Sequence, residues 1–222
     1  MNTAFNDSDR HSLSSKVFLK IRDSILDGTY KSGDALIETK LAEELNVSRT
    51  PIREAIRQLE LEELVICIPN RGVFVQSISD QDIEDIYTIR KLLEGQVARW
   101  VCERISNEQM NRLSEIVELM ELYTRRDDKV NLARLDTEFH DLLYEACKSR
   151  TLRHTLTTIH HNSAYSRLGN FTVAGRAKLS LNEHRAIFEA IEKHNADAAS
   201  QLIIYHIESA YQASKAQAHD NT

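Results

Sequence analysis

Four side chains in the second half of the sequence carry ligand atoms at spacings that chemistry can use: Asp136, His140, His184 and His206. Asp136 and His140, in Leu135-Asp136-Thr137-Glu138-Phe139-His140, stand four apart, so on a helix they share one face a turn apart. His184 lies in Glu183-His184-Arg185-Ala186-Ile187, and His206 in the apolar run Leu202-Ile203-Ile204-Tyr205-His206-Ile207. One carboxylate and three imidazoles projecting from three helices into a bundle core suit a divalent cation, Zn²⁺ first, with Ni²⁺ and Mn²⁺ as alternatives. A hydrogen-bonded network of core histidines is the competing reading, and spacing alone does not separate the two.

A second constellation lies near the start of the chain. Arg49, Arg53 and Arg57 are spaced by four, with Thr50 beside the first of them, while Ile52, Ala55, Ile56 and Leu59 recur on the opposite face. Ser48 is placed to cap this helix, and Pro51 falls in its first turn, where a missing N–H is tolerated. Leu41, Ala42 and Leu45 give the preceding helix an apolar stripe, and Asn46-Val47-Ser48 forms the turn, Asn being the best non-glycine residue for a left-handed position. Val65-Ile66-Cys67-Ile68 and Val73-Phe74-Val75, joined by Pro69-Asn70-Arg71-Gly72, read as a β-hairpin with Arg71 at its tip. A helix-turn-helix followed by a hairpin is a winged helix, and an arginine stripe at the start of the second helix is where major-groove recognition needs donors. Standing alone, such a stripe is more often a solvated surface.

Residues 17–75 resemble the DNA-binding domain of the GntR family of bacterial regulators, most specifically in Leu41-Ala42, Val47-Ser48-Arg49-Thr50-Pro51-Ile52-Arg53-Glu54-Ala55 and Asn70-Arg71-Gly72. The resemblance implies that Ser48, Arg49, Thr50, Arg53, Arg57, Arg71 and Gly72 form the DNA-binding set. Two departures stand out: Ser32-Gly33 where the family has Pro-Gly, and Glu63 where it has a glycine after the recognition helix, which puts the pose of the wing in question.

Residues from about 80 to 212 resemble the six-helix FCD effector domain of the FadR-type branch, many of whose members carry Asp-x-x-x-His on one helix and single histidines on the last two. Asp136, His140, His184 and His206 fall on that pattern one by one, so the resemblance implies a metal-containing pocket completed by a small organic acid. Arg90 resembles an arginine facing that pocket and is the effector-binding candidate, with an internal Arg90–Glu94 pair as its alternative. Ser149 and Asn195 depart from the pattern, standing where Asn and Asp often occur.

The expected architecture is mainly α. It comprises a polar leader without periodicity over 1–12, expected to be disordered, a winged helix-turn-helix over 13–76 and a linker over 77–79. An all-α six-helix effector-binding and dimerisation domain over 80–222 completes it. Its helices should open at Ser79 with Asp82, at Ser106 with Gln109, at about Lys129 and Thr151, at Ser180 with Glu183, and at Asn195, with an interruption over 169–175. At 222 residues, 41% hydrophobic and 28% charged, without an apolar run of the roughly 20 residues a membrane span needs, the chain reads as cytoplasmic and not membrane-bound. Cys67, Cys102 and Cys147 are far apart and form no CxxC pair, as structural thiols would.

The net charge is −6, with 10 Lys/Arg against 12 Asp/Glu through residue 76 and 18 against 22 beyond it. Background attraction to phosphate is therefore weak, and tight binding requires a palindromic double-stranded operator read by a homodimer. The reading is a regulator, most often a repressor in this family, controlled by a small carboxylate through a bound metal. A metal-responsive regulator is the alternative. A metalloenzyme is a remote one, since the bundle lacks a general base at fixed spacing such as that of His-Glu-x-x-His.

Overall fold

The computed structural model describes residues 7–26, 28–76, 79–162 and 170–220, and the chain divides into two units, Met1–Ser79 and Asp80–Thr222. Residues 77 and 78 of the expected linker, and residues 1–6 of the expected leader, lie outside the described residues. In the first unit the recurrence of Val17, Ile21 and Ile25 builds the buried stripe of α1 (Asp7–Leu26), which packs on the helix-turn-helix. The helix starts at Asp7, inside the stretch over 1–12 expected to be disordered, so part of the polar leader is helical. Once a turn is nucleated, extension costs little per residue.

The helix-turn-helix consists of α2 (Glu38–Glu44) and α3 (Arg49–Leu61). Asn46 takes φ 51°, the left-handed turn conformation its type allows. Ser48 is the N-cap by its extended backbone, though its hydroxyl makes no capping bond. Pro51, Ile52, Ala55, Ile56 and Leu59 are buried, as the apolar face of α3 requires. The wing is a three-stranded antiparallel sheet in the order β1 (Ala35–Leu36), β3 (Gly72–Val75), β2 (Val65–Ile68), with Val65 opposite Val75 and Ala35 opposite Phe74. Strand β1, which the segment before the helix-turn-helix did not announce, is too short for a visible alternation.

Glu63 settles its own anomaly. It adopts φ 57°, the conformation a glycine would take there, and its N–H bonds to the Glu60 carbonyl at 3.1 Å while that of Leu64 bonds to Leu59 at 3.0 Å. The turn into the wing is thus the glycine turn made by a residue with a Cβ. Glu63→Gly should relieve that strain and stabilise the first unit by about 1 kcal/mol, net of the glycine's greater chain entropy. A urea titration checks this, and an unchanged or lower midpoint would contradict it.

The second unit contains six helices and no strand among the described residues: α4 (Asp80–Arg104), α5 (Asn107–Arg125), α6 (Lys129–Ala146), α7 (Arg150–Asn162), α8 (Arg176–Glu192) and α9 (Ala196–Asp220). Ser106 and Gln109 form the expected capping box, and Asn195 accepts from the Ala198 N–H at 3.1 Å. Residues 163–168, between α7 and the expected interruption, and residue 169 of that interruption lie outside the described residues. The proposed cap at Ser180 and Glu183 is corrected: α8 begins at Arg176 with Gly175 (φ 77°) as N-cap, and both residues lie buried inside the helix. Helix α9 lies close against α4, where a Cβ on Gly95 would come within 2.9 Å of Ile204 Cδ1. The core is built on Leu135, Phe139, Leu143, Tyr144, Leu156 and Ile187. No described helix is long and apolar enough to cross a membrane.

Candidate metal centre and candidate nucleic-acid face

Inside that apolar core sits a polar knot. Asp136 and His140 project from α6, His184 from α8 and His206 from α9, all four are buried, and their ligand atoms lie within 4.8 Å of one another. His184 Nε2 is 3.3 Å from Asp136 Oδ1, His206 Nε2 is 3.9 Å from the same oxygen, and the Nε2 atoms of His140 and His206 are 3.3 Å apart.

The other face of each imidazole is already engaged. His140 Nδ1 lies 2.8 Å from Glu94 Oε2, His206 Nδ1 2.8 Å from Glu183 Oε2, and His184 Nδ1 2.8 Å from the Ser180 carbonyl. Carboxylate and carbonyl oxygens only accept, so each Nδ1 carries the proton and each Nε2 presents a bare lone pair. Burial holds His140 below the usual histidine range and His206 at about 3, against the pull of Glu94 and Glu183, so both rings stay neutral. Two lone pairs therefore face each other across 3.3 Å, and His184 Nε2 makes no hydrogen bond. Bare, converging donors fit a cation, and nitrogens about 3.3 Å apart are what ligands roughly 2.0–2.1 Å from one tetrahedral ion subtend.

Two Arg–Glu–His chains flank this knot. Arg90 Nε bonds to Glu94 Oε1 at 2.6 Å, and Arg176 Nη1 bonds to Glu183 Oε2 at 2.8 Å and to Ser209 Oγ at 3.1 Å. Burial pushes Glu94 up, but Arg90 and His140 outweigh it and hold its carboxyl at about 2. Burial likewise opposes the Arg90 charge, and Glu94 overcomes it, raising the guanidinium further. Both arginines line a cavity of about 20 Å³ together with Tyr87, Asp136, Asn170 and His206, room for about one water. Arg90 thus lines the cavity and also makes the internal pair with Glu94.

Glu94 enters the sequence reading only as the partner of Arg90, Glu183 only as the partner of Ser180, and Arg176 not at all. With α8 beginning at Arg176, a cation stands in its first turn against the helix dipole, so something other than the helix must hold it there. In the sequence Glu183 reads as a capping partner, because Ser-x-x-Glu satisfies that pattern wherever it occurs. His160, also buried, had the register of Leu152 and Leu156 on α7, four apart in turn.

In the first unit Ser48, Arg49, Thr50, Arg53, Arg57, Arg71 and Gly72 are all exposed, as a nucleic-acid face needs. Arg49 Nη2 and Arg53 Nε both bond to Glu38 Oε2, at 3.0 and 2.8 Å. Burial raises the Glu38 carboxyl, yet the two arginines prevail and hold it below the usual range. Glu38 holds two arginines of α3 and, where they contact DNA, would compete with phosphate for them. Glu38→Gln should tighten binding to random duplex and steepen its salt dependence by about one unit in the slope of log K against log salt. Anisotropy titrations over a salt series measure this, and an unchanged slope would remove Glu38 from the DNA face.

The chain matches the model of the bacterial regulatory protein gntR family over residues 13–75 and that of the FCD domain over residues 85–209. It is 33% identical over 189 residues to the uncharacterised HTH-type transcriptional regulator YdhC of Bacillus subtilis, covering 84% of each chain. It is 25% identical over 193 residues to the HTH-type transcriptional repressor RspR of Escherichia coli, covering 87% of this chain and 85% of that one. Among solved structures, E. coli McbR/YncC superposes with a TM-score of 0.81 over 95% of this chain and 99% of that chain at 17% identity, a likeness of fold.

Proposed function

We propose that this chain, which belongs to the GntR family of bacterial regulators and carries an FCD domain, is a homodimeric repressor whose grip on a palindromic operator is controlled by a small carboxylate at a metal centre. The observation that carries the effector reading is the convergence of three bare Nε2 atoms and the Asp136 carboxylate, each Nδ1 being tied behind. Asp136, His140, His184 and His206 would hold the ion; one carboxylate against a dication leaves positive charge that an arriving organic anion completes. Arg90 and Arg176 face the same cavity and supply forks for its remaining oxygens, released from or shared with Glu94 and Glu183. Because those glutamates also hold His140 and His206, an anion that moves either arginine moves an imidazole on α6 or α9. Ser48, Arg49, Thr50, Arg53 and Arg57 enter the major groove, and Arg71 and Gly72 approach the backbone from the wing. The repressor assignment draws on RspR, which is named as one.

The test takes a duplex selected from a random pool and measures its affinity for the full chain with and without chelator, across a panel of small carboxylates. An effective carboxylate should weaken binding about tenfold or more, by a coupling of about 1–3 kcal/mol, and only when metal is present. An affinity that follows metal alone, without any acid, would replace this reading by a metal-responsive one. Indifference to both would refute control at this site.

A further inference from the structure

His160, on α7, has no part in the reading above, yet it is fully buried at the centre. Its ring lies 4.6 Å from that of His140 and edge-on to Tyr144 at 5.8 Å, and its Nε2 is 3.8 Å from Asp136 Oδ2. The arrangement of the other ligand residues gives this distance meaning. Each of the three imidazoles turns one nitrogen inward and is held from behind, by Glu94, Ser180 or Glu183. Asp136 is the fourth member: Oδ1 faces His184 and His206, while Oδ2 is turned toward His160.

We infer that His160 is the positioning residue of Asp136, donating Nε2–H to Oδ2 and so aiming Oδ1 at the cation. The inference rests on the metal reading. The separation of 3.8 Å exceeds a hydrogen bond, and a movement of about 1 Å closes it to bonding distance. The carboxylate has a reason to make that movement when it is drawn into register by an ion, since ligating carboxylates are themselves hydrogen-bonded in metal sites. His160 would not be a ligand of the ion: it faces the oxygen turned away from His184 and His206, and it stands outside the set of four whose ligand atoms gather within 4.8 Å. Through His160, helix α7 would be tied to metal occupancy.

The experiment uses the full chain stripped of metal and titrated with Zn²⁺ against a chromophoric chelator, comparing the wild type with His160→Phe and His160→Gln. The Phe variant keeps the ring and loses the donor, and should bind Zn²⁺ about 10- to 100-fold more weakly. The Gln variant keeps a donor and should recover most of that loss. Visible spectra of the Co²⁺-loaded chains should stay alike in all three, because the ligand set is unchanged. If the Phe ring is not accommodated, His160→Ala removes the donor equally. Wild-type affinity in the non-donor variants would overturn the inference, as would Co²⁺ spectra altered in both substitutions, which would make His160 a direct ligand. A wild-type chain that takes up no Zn²⁺ would instead overturn the metal reading beneath it.

Discussion

Arg53→Ala should lower operator affinity by about 30-fold to about 20,000-fold while leaving the second unit's thermal unfolding unchanged. The size follows from geometry and symmetry. Arg53 is exposed on the face of α3 opposite Ile52, Ala55 and Ile56, one turn from the N-terminus that the proposal puts in a major groove. A lost arginine contact to a base costs about 1–3 kcal/mol, and a dimer loses it twice. Its net worth is what DNA offers beyond Glu38, which already holds the Arg53 Nε at 2.8 Å in the free chain. The pattern of loss distinguishes roles. A base contact relaxes selectivity at one position of each half-site, whereas a phosphate contact weakens all sequences alike and lowers the salt slope by about one per contact. Arg49→Ala should behave similarly, since Arg49 shares the same Glu38 oxygen at 3.0 Å. An affinity equal to wild type in both variants would take the recognition surface away from this stripe.

The second large effect concerns stability. Glu94→Ala should destabilise the helical unit by about 3–5 kcal/mol, because it leaves the buried Arg90 guanidinium without its carboxylate and takes the hydrogen-bond acceptor from His140 Nδ1. Replacing the pair together, Arg90→Met with Glu94→Leu, should recover much of that loss, since an apolar pair of similar volume carries no unpaired charge. Urea titration of the metal-free chain reads both, and equal midpoints for wild type and Glu94→Ala would contradict the account. The same centre fixes a pH dependence. Glu94, at about 2 when folded, contributes stability that is present above the unfolded carboxylate range, about 4.5, and is lost as pH falls toward 2. His206, buried neutral with its folded value at about 3, binds protons more readily when unfolded, so its contribution starts to fade below about pH 6.5 and is lost by about 3. Both signs agree: the metal-free chain should weaken steadily on acidification from pH 6.5.

The winged helix was legible because its signals are local. Asn46 at φ 51° and the buried face of α3 follow from residue type and spacing alone. Of the candidate metal centre only Asp136 and His140, one turn apart on one helix, are joined by local spacing, which leaves a network of core histidines open; His184 and His206 join them in the sequence through the family resemblance. What surrounds the centre was not legible, because Glu94, Arg176, Glu183 and His160 meet it from three other helices, and each has an innocent local reading. Glu183 resembles a capping partner and becomes something else only when α8 is seen to start at Arg176. Arg90 shows that a local pair and a pocket position need not exclude each other. Strand β1 escaped because two residues carry no periodicity, and its pairing with Phe74 and Val73 is set by the sheet rather than by its own sequence.

Elemental analysis of the chain purified without chelator or a metal-affinity tag, beside His206→Ala prepared identically, tests the central claim most directly. The account predicts about one divalent ion per chain in the wild type and its loss in the variant, since three remaining ligands and an unheld Glu183 do not keep it. No metal in the wild type, even after incubation with Zn²⁺, would mean that Asp136, His140, His184 and His206 are a polar network in the core and that the effector binds elsewhere.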